Sequence, residues 1–271
     1  MRKKLIFFIY IGDDRTPQQR CSEVLVAKVH FACIKRWRSV FDEAKFILSV
    51  KEDLIGNTKL ISEYVDFIMS LGYTENVEFV VEKNTSLRES KNFKEEILDN
   101  ESNNDKLVFF SHLRGESNNT ENTARWVFSN YYYALSREWE IDYWLVQNTK
   151  VFYGFPMTDC RYTDGRPNEV LPFNRYYYLG SIFWVNVSTL KDVMKTRNIE
   201  KPRMIGRFFS ENFPGNTISY ELVATTCYVA ATTGWDPYSQ FDQLLEEWCS
   251  RSEMSMEEFD NEYEKTKSET F

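Results

Sequence analysis

The segment Leu107 to Gly115, LVFFSHLRG, runs four apolar residues straight into a Ser, a His, an Arg and a Gly. A His and an Arg at the end of an apolar run supply what an anionic group needs, N–H donors and a fixed positive charge. The pattern predicts a buried parallel strand that stops at a binding edge, because ligands of open α/β sheets sit outside the carboxyl ends of the strands. His112 is one of only two histidines in the chain. Lacking a second His nearby or a Cys at ligand spacing, it reads as a neutral donor to phosphate or as a satisfied core histidine, and the spacing argues against a metal site built on it.

Polar groups of the same kind close three earlier apolar runs. Lys4 to Ile11 empties into Asp13-Asp14-Arg15, Lys45 to Val50 into Lys51-Glu52-Asp53, and Val77 to Val81 into Glu82-Lys83-Asn84, with Arg88 and Glu89 close behind. Asp14, Asp53, Asn84, Arg88, Glu89, His112, Arg114 and Gly115 are therefore the candidates for a nucleotide site. The base of such a ligand wants directional partners, and its phosphates want cations and backbone N–H groups. Polar strand ends are common to all α/β proteins, so each residue taken alone carries little.

The elements that must position these groups follow from the apolar spacing. Pro17 opens a helix read through about Val40; Thr58 to Leu71 is a second, stopped by Gly72, and Ser86 with Glu89 has the spacing of a capping box before a short third. Strand then helix, repeated up to Leu107–His112, predicts a parallel sheet. Further on, the spacing predicts a loop over 116–121, a helix over 122–137, a strand over 151–155, a loop over 159–172, and a long aromatic strand, Tyr176 to Asn186, broken at Gly180. Ser188 is read as the cap of the next helix, and a further helix as spanning 218–231. The expectation is one α/β domain over residues 1–235, a mostly parallel central sheet flanked by helices, then a solvated, partly helical acidic tail over 236–271 with apolar spacing at Phe241, Leu244, Leu245 and Trp248.

Composition narrows the partners. The net charge of −8 resides in that tail, where eleven acidic residues face three basic ones, so the rest of the chain carries thirty of each sign. No basic field remains for nucleic acid or for a tight grip on anionic lipid. Five widely spaced cysteines without a C-x-x-C pair argue against a disulfide framework or a zinc site and predict a reducing, cytoplasmic setting. The N-terminal MRKKLIFFIYI imitates a signal peptide, but it is short, lacks a small-residue cleavage site and ends in Gly12-Asp13-Asp14-Arg15, so it reads as a strand. No apolar stretch has the length of a membrane span.

FFSHLRG, HFACIKRWRSVFDEAKFILSVKED, KNTSLRESKNF, and YYYLGSIFWVNVSTL followed by RFFSENFPGN together resemble a bacterial group of small glycosyltransferases of the GT-A fold, in which a strand ends in a His-x-Lys-Gly motif. Arg114 stands here in the lysine place, and the likeness covers about Phe31 to Asn216. The resemblance implies a nucleotide-sugar donor over the first parallel strands, with Glu52 or Asp53 at the base and Asn84 and Arg88 near ribose and phosphates. It also implies a glycan or glycolipid acceptor and a role in surface polysaccharide synthesis. Enzymes of this fold commonly hold a divalent metal, Mn2+ or Mg2+, on an Asp-x-Asp after the fourth strand. This chain has Ser111-His112-Leu113-Arg114 there, so a metal is not a firm expectation, and His112 and Arg114 could offset the leaving-group charge without one. The resemblance places Glu211 as the general base of an inverting single displacement, with Asp159 and Asp164 as alternatives; Glu211 also reads as a first-turn helix carboxylate. Of the aromatics Trp126, Tyr132, Phe183 and Trp184, only Trp184, near Gly180, is retained with Gly180 and Asp159 as an acceptor-side candidate. A catalytically silent sugar-nucleotide or glycan-binding protein of the same fold is the competing expectation.

Overall fold

The computed structural model describes residues 1–84, 88–113, 119–147, 149–154, 157–159, 176–178, 182–197, 217–218, 249–250 and 254–271. In chain order the elements are β1 (Arg2–Ile11), α1 (Pro17–Glu23), α2 (Leu25–Arg36), β2 (Glu43–Val50), α3 (Thr58–Ser70), β3 (Val77–Lys83), α4 (Arg88–Phe93) and β4 (Lys106–His112). They continue as α5 (Glu121–Leu135), α6 (Glu138–Ile141), β5 (Phe152–Gly154), β6 (Met157–Asp159), β7 (Tyr176–Tyr178), β8 (Phe183–Asn186), α7 (Val187–Arg197), β9 (Thr217–Ile218) and α8 (Met256–Lys267). Both α4 and α6 run on into π-helical turns, Lys94–Asp99 and Asp142–Gln147.

The protein is an α/β structure with a mixed sheet flanked by helices. Seven strands lie in the order β3-β2-β1-β4-β8-β5-β9. The first four are mutually parallel, β8 runs antiparallel to both β4 and β5, and β9 is parallel to β5. The unbroken apolar run of β1 is explained by burial on both sides. Leu5, Phe7, Ile9 and Ile11 pack into the layer that holds α2, α3 and α5, whereas Ile6 and Phe8 pack into the opposite layer with Phe93 of α4 and Leu190 of α7.

Several expectations are corrected. The helix read from Pro17 to Val40 is two helices, because Val24 between them is extended (φ −120°, ψ 97°), followed by a 3-10 turn at Arg38–Val40. Thr16 and Gln19 form a capping box that starts α1. The first turn of α2 has no side-chain cap of its own; Asn119, 93 residues later, accepts from the Val26 N–H at 3.2 Å. The aromatic strand 176–186 is divided: β7 pairs with β6 in a separate two-stranded sheet, while β8 joins the main sheet, and Gly180 lies outside the described residues. Asp159 closes β6, where a loop was expected. Asn186, not Ser188, caps α7, accepting from the Thr189 N–H at 3.1 Å. Gly72 ends α3 as expected, at φ +96°, a conformation that favours glycine.

The tail differs most from the solvated appendage expected. Its helix α8 begins with a Ser255–Glu258 capping box and buries Phe259, Tyr263 and Thr266 against α2 and α5. Phe259 and Tyr263 meet Phe128 at ring-centroid distances of 5.2 and 5.5 Å, and Arg125 pairs with Asp260 at 2.9 Å. The apolar positions at 241–248 lie outside the described residues.

Candidate functional site

In the strand order β3-β2-β1-β4, the chain moves from β1 outward to β2 and β3 and then returns to the other side of β1 for β4. The point of reversal, between β1 and β4, is where sheets of this kind open a ligand crevice at the carboxyl ends. The four exits are held side by side by backbone hydrogen bonds: Asn84 N–H to the Val50 carbonyl at 2.8 Å, Lys51 to Ile11 at 2.9 Å and Leu113 to Phe8 at 3.1 Å.

Alternation along the strands decides which side chains share a face. Tyr10 lies opposite Ser49, Ser49 opposite Glu82, and Phe8 opposite His112, so Tyr10, Ser49, Glu82 and His112 all project to the α4 side of the sheet. Asn84 joins them, its Oδ1 accepting from Ser49 Oγ at 3.1 Å. From α4, Lys91 pairs with Glu82, and Asn92 Nδ2 donates to the same carboxylate at 3.3 Å. Arg88 and Glu89 form the first turn of α4 on this side. The structure thus gathers Asn84, His112 and the start of α4 at one edge, whereas Arg114 and Gly115 lie outside the described residues.

Tyr10, Ser49 and Glu82 were missed by sequence reasoning, and Tyr10 is the most telling of them. Within a strand whose neighbours are buried, it is 38% exposed. Its ring rests on Gly12, where a β-carbon would lie 2.6 Å from Tyr10 Cε1. A tyrosine inside an apolar run reads as core, so the only available signal was the Tyr-x-Gly spacing at the strand exit.

The turn after β1 is built from ions. Arg15 forks onto Asp13, Nε to Oδ1 at 3.0 Å and Nη2 to Oδ2 at 2.5 Å, and its guanidinium also approaches Glu23 at 3.6 Å. These bonds hold the Asp13 carboxyl below its usual range, outweighing the opposing effect of burial. Behind the turn, buried Arg20 donates to the Tyr10 carbonyl at 2.7 Å and to the Tyr64 hydroxyl at 3.1 Å. Asp14, the residue expected here, is exposed and its neighbour Asp13 makes the contacts. Asp53 is likewise exposed, pairing with Lys51 at 2.9 Å, while Glu52 pairs with Lys83.

Trp184 is removed from the acceptor side. It is fully buried, its indole Nε1 donates to the Ala134 carbonyl at 2.7 Å, and its ring packs between Phe41 and Phe109, leaving no face for a sugar. Trp126 and Phe183 are core as well. Glu211 and Asp164 lie outside the described residues, as does the Asp159 side chain.

The chain matches no protein-family model and no curated protein. What the edge can do rests on its own chemistry. Among the described residues no group of three or more His, Cys, Asp or Glu side chains is gathered as metal ligands are, and no helix is long and apolar enough to cross a membrane. Cys21, Cys33 and Cys249 are buried free thiols. Surface depressions also open at the opposite, amino-end edge, one of them bordered by Lys4, Glu43, Glu78 and Lys106. The charges there are matched among themselves, Lys106 with Glu43 at 2.7 Å and Lys45 with Glu78 and Glu96 at 2.9 and 2.8 Å. The carboxyl-end edge also carries paired charges, Asp13 with Arg15, Lys51 with Asp53 and Glu82 with Lys91, beside an exposed tyrosine, amide and hydroxyl groups and an imidazole.

Proposed function

We propose that this chain is a glycosyltransferase of the GT-A type, moving a sugar from a nucleotide-sugar donor to a glycan or glycolipid acceptor in cytoplasmic steps of surface polysaccharide synthesis. The observation that carries the reading is the carboxyl-end edge of β1–β4, where exposed Tyr10, Asn84 bonded to Ser49, and His112 share one face of the sheet beside the strand reversal. The nucleotide's planar ring lies on the exposed side of Tyr10, with Asn84, held by buried Ser49, at its polar edge. His112 donates to the diphosphate. In the transfer, the acceptor oxygen forms its bond to the anomeric carbon as the bond to the diphosphate oxygen breaks. Glu211 takes the hydroxyl proton, and the nucleoside diphosphate leaves with the electron pair.

The test is turnover with a panel of sugar nucleotides, with and without Mn2+ or Mg2+, for the wild type, His112→Ala and Glu211→Ala. Donor hydrolysis or transfer by the wild type that falls roughly 100- to 10,000-fold in Glu211→Ala is the expected result. Binding without turnover under every condition would replace this reading by the silent binding protein. Failure to bind any sugar nucleotide would remove both.

A further inference from the structure

Among the described residues, β4 has strand neighbours on both sides only from Leu107 to Phe110. Its pairing with β1 extends from Lys106 to His112. Among the described residues, Ser111 and His112 therefore have a strand neighbour on one side alone, at the crevice itself.

This end is also fastened from the helix layer. Ser111 turns inward and meets the Tyr131 hydroxyl at 2.6 Å, and that hydroxyl meets His30 Nδ1 at 2.9 Å. All three residues are fully buried, on β4, α5 and α2 respectively. They stand in an aromatic interior: the His30 and Tyr131 rings are edge to face at 5.5 Å, with Phe7 and Phe109 beside them. Burial drives the Tyr131 phenol well above its usual range, so it stays neutral and has one proton to give. It donates to one neighbour and accepts from the other, which makes the three groups a single strut with a direction.

We propose that His30 and Tyr131 are positioning residues for His112, holding the carboxyl end of β4 through Ser111 so that the imidazole meets the crevice in a fixed orientation. Neighbours in a strand point to opposite faces, so anchoring Ser111 on the helix side fixes where His112 projects on the ligand side. A polar strut costs more to bury than an apolar one. Its return is geometric: directional bonds fix the height and rotation of the strand end in a way that apolar packing does not. The proposal rests on the nucleotide reading of the crevice for its purpose, but not for its geometry.

The chain's two histidines make the test direct, since the imidazole region of a proton–carbon NMR spectrum contains two ring sets and His30→Gln leaves only that of His112. Tyr131→Phe keeps the ring and removes both bonds. The expected result is that Tyr131→Phe moves the His112 ring signals and weakens pyrophosphate binding at His112 about threefold to tenfold, the scale of one hydrogen bond. His30→Gln, which can still bond the Tyr131 hydroxyl, should stay close to wild type in affinity, whereas His30→Leu should resemble Tyr131→Phe. A lower melting temperature with unchanged His112 signals and unchanged affinity in Tyr131→Phe and His30→Leu would overturn the proposal and leave the nucleotide reading standing. If pyrophosphate and nucleoside diphosphates leave His112 of the wild type unmoved, the nucleotide reading fails; a His112 shift in Tyr131→Phe then still upholds the strut, and its absence overturns it.

Discussion

Asp13 shows how one residue fixes the turn at the exit of β1. Its carboxyl is held below the ordinary 3.8 by the hydrogen bonds from Arg15, so the folded state favours the ionised form more than the unfolded state does. That contribution is fully present above the unfolded value and is lost as pH falls through the lowered folded one. With the Asp13 side chain 43% exposed, the effect is screened and modest. Urea unfolding of the wild type and Asp13→Asn from pH 6 down to pH 2.5 should therefore show wild type more stable at the upper end and the difference closing below about pH 4. A gap independent of pH would mean that Asp13 acts through shape alone. His112 presents the same residue-level lesson from the other side. It is only 6% exposed, which agrees with the core reading, and its role as a phosphate donor belongs to the proposed transfer.

At the scale of elements, α8 is the clearest case of a part whose role sequence patterning obscures. Its charges suggest solvent, but they are spent on neighbours: Arg36 reaches Thr266 at 3.0 Å and pairs with Glu262, Lys35 pairs with Glu269, and Lys267 meets Glu121 at 2.8 Å. Such half-exposed pairs contribute little each, and Phe259, wholly buried, carries more. Phe259→Ala should cost about 3 to 5 kcal/mol in denaturant unfolding. A change under about 1 kcal/mol would mean that α8 is bound only by its charges. β1, β2 and β4 were legible because burial on both faces leaves continuous apolar runs, edge strand β3 by its short VEFVV run alone, and Gly72 because a stop needs its conformation. The division of 176–186 was not, since β7 and β8 are equally aromatic and only pairing separates them. Trp184 was misread for the same reason: whether an aromatic in a strand faces sugar or core depends on its sheet neighbours. Of the site, the polar exits could be read off, while Tyr10 could not, because an apolar run does not reveal that β4 stops two residues short of it.

At the scale of the whole molecule, the proposed site lies at the strand reversal between β1 and β4, within the parallel half of the sheet, so a ligand bound there would engage several elements at once. Ligand that binds only the folded chain raises its unfolding free energy by RT ln(1 + [L]/Kd), about 2.7 kcal/mol at one hundred times Kd. For a domain of this size that is a rise in Tm of about 5 °C. Tyr10→Ala removes an exposed ring, so the unliganded Tm should scarcely move, while loss of stacking lowers nucleotide affinity about tenfold. At the same nucleoside diphosphate concentration the variant's shift should then drop to about half, because the stabilisation falls to about 1.4 kcal/mol. Pyrophosphate has no ring to stack, so its shift should be equal in the two proteins. Equal nucleotide shifts in wild type and variant would remove Tyr10 from the site. A wild type that no nucleoside diphosphate stabilises would count against the crevice itself, and with it the proposed transfer.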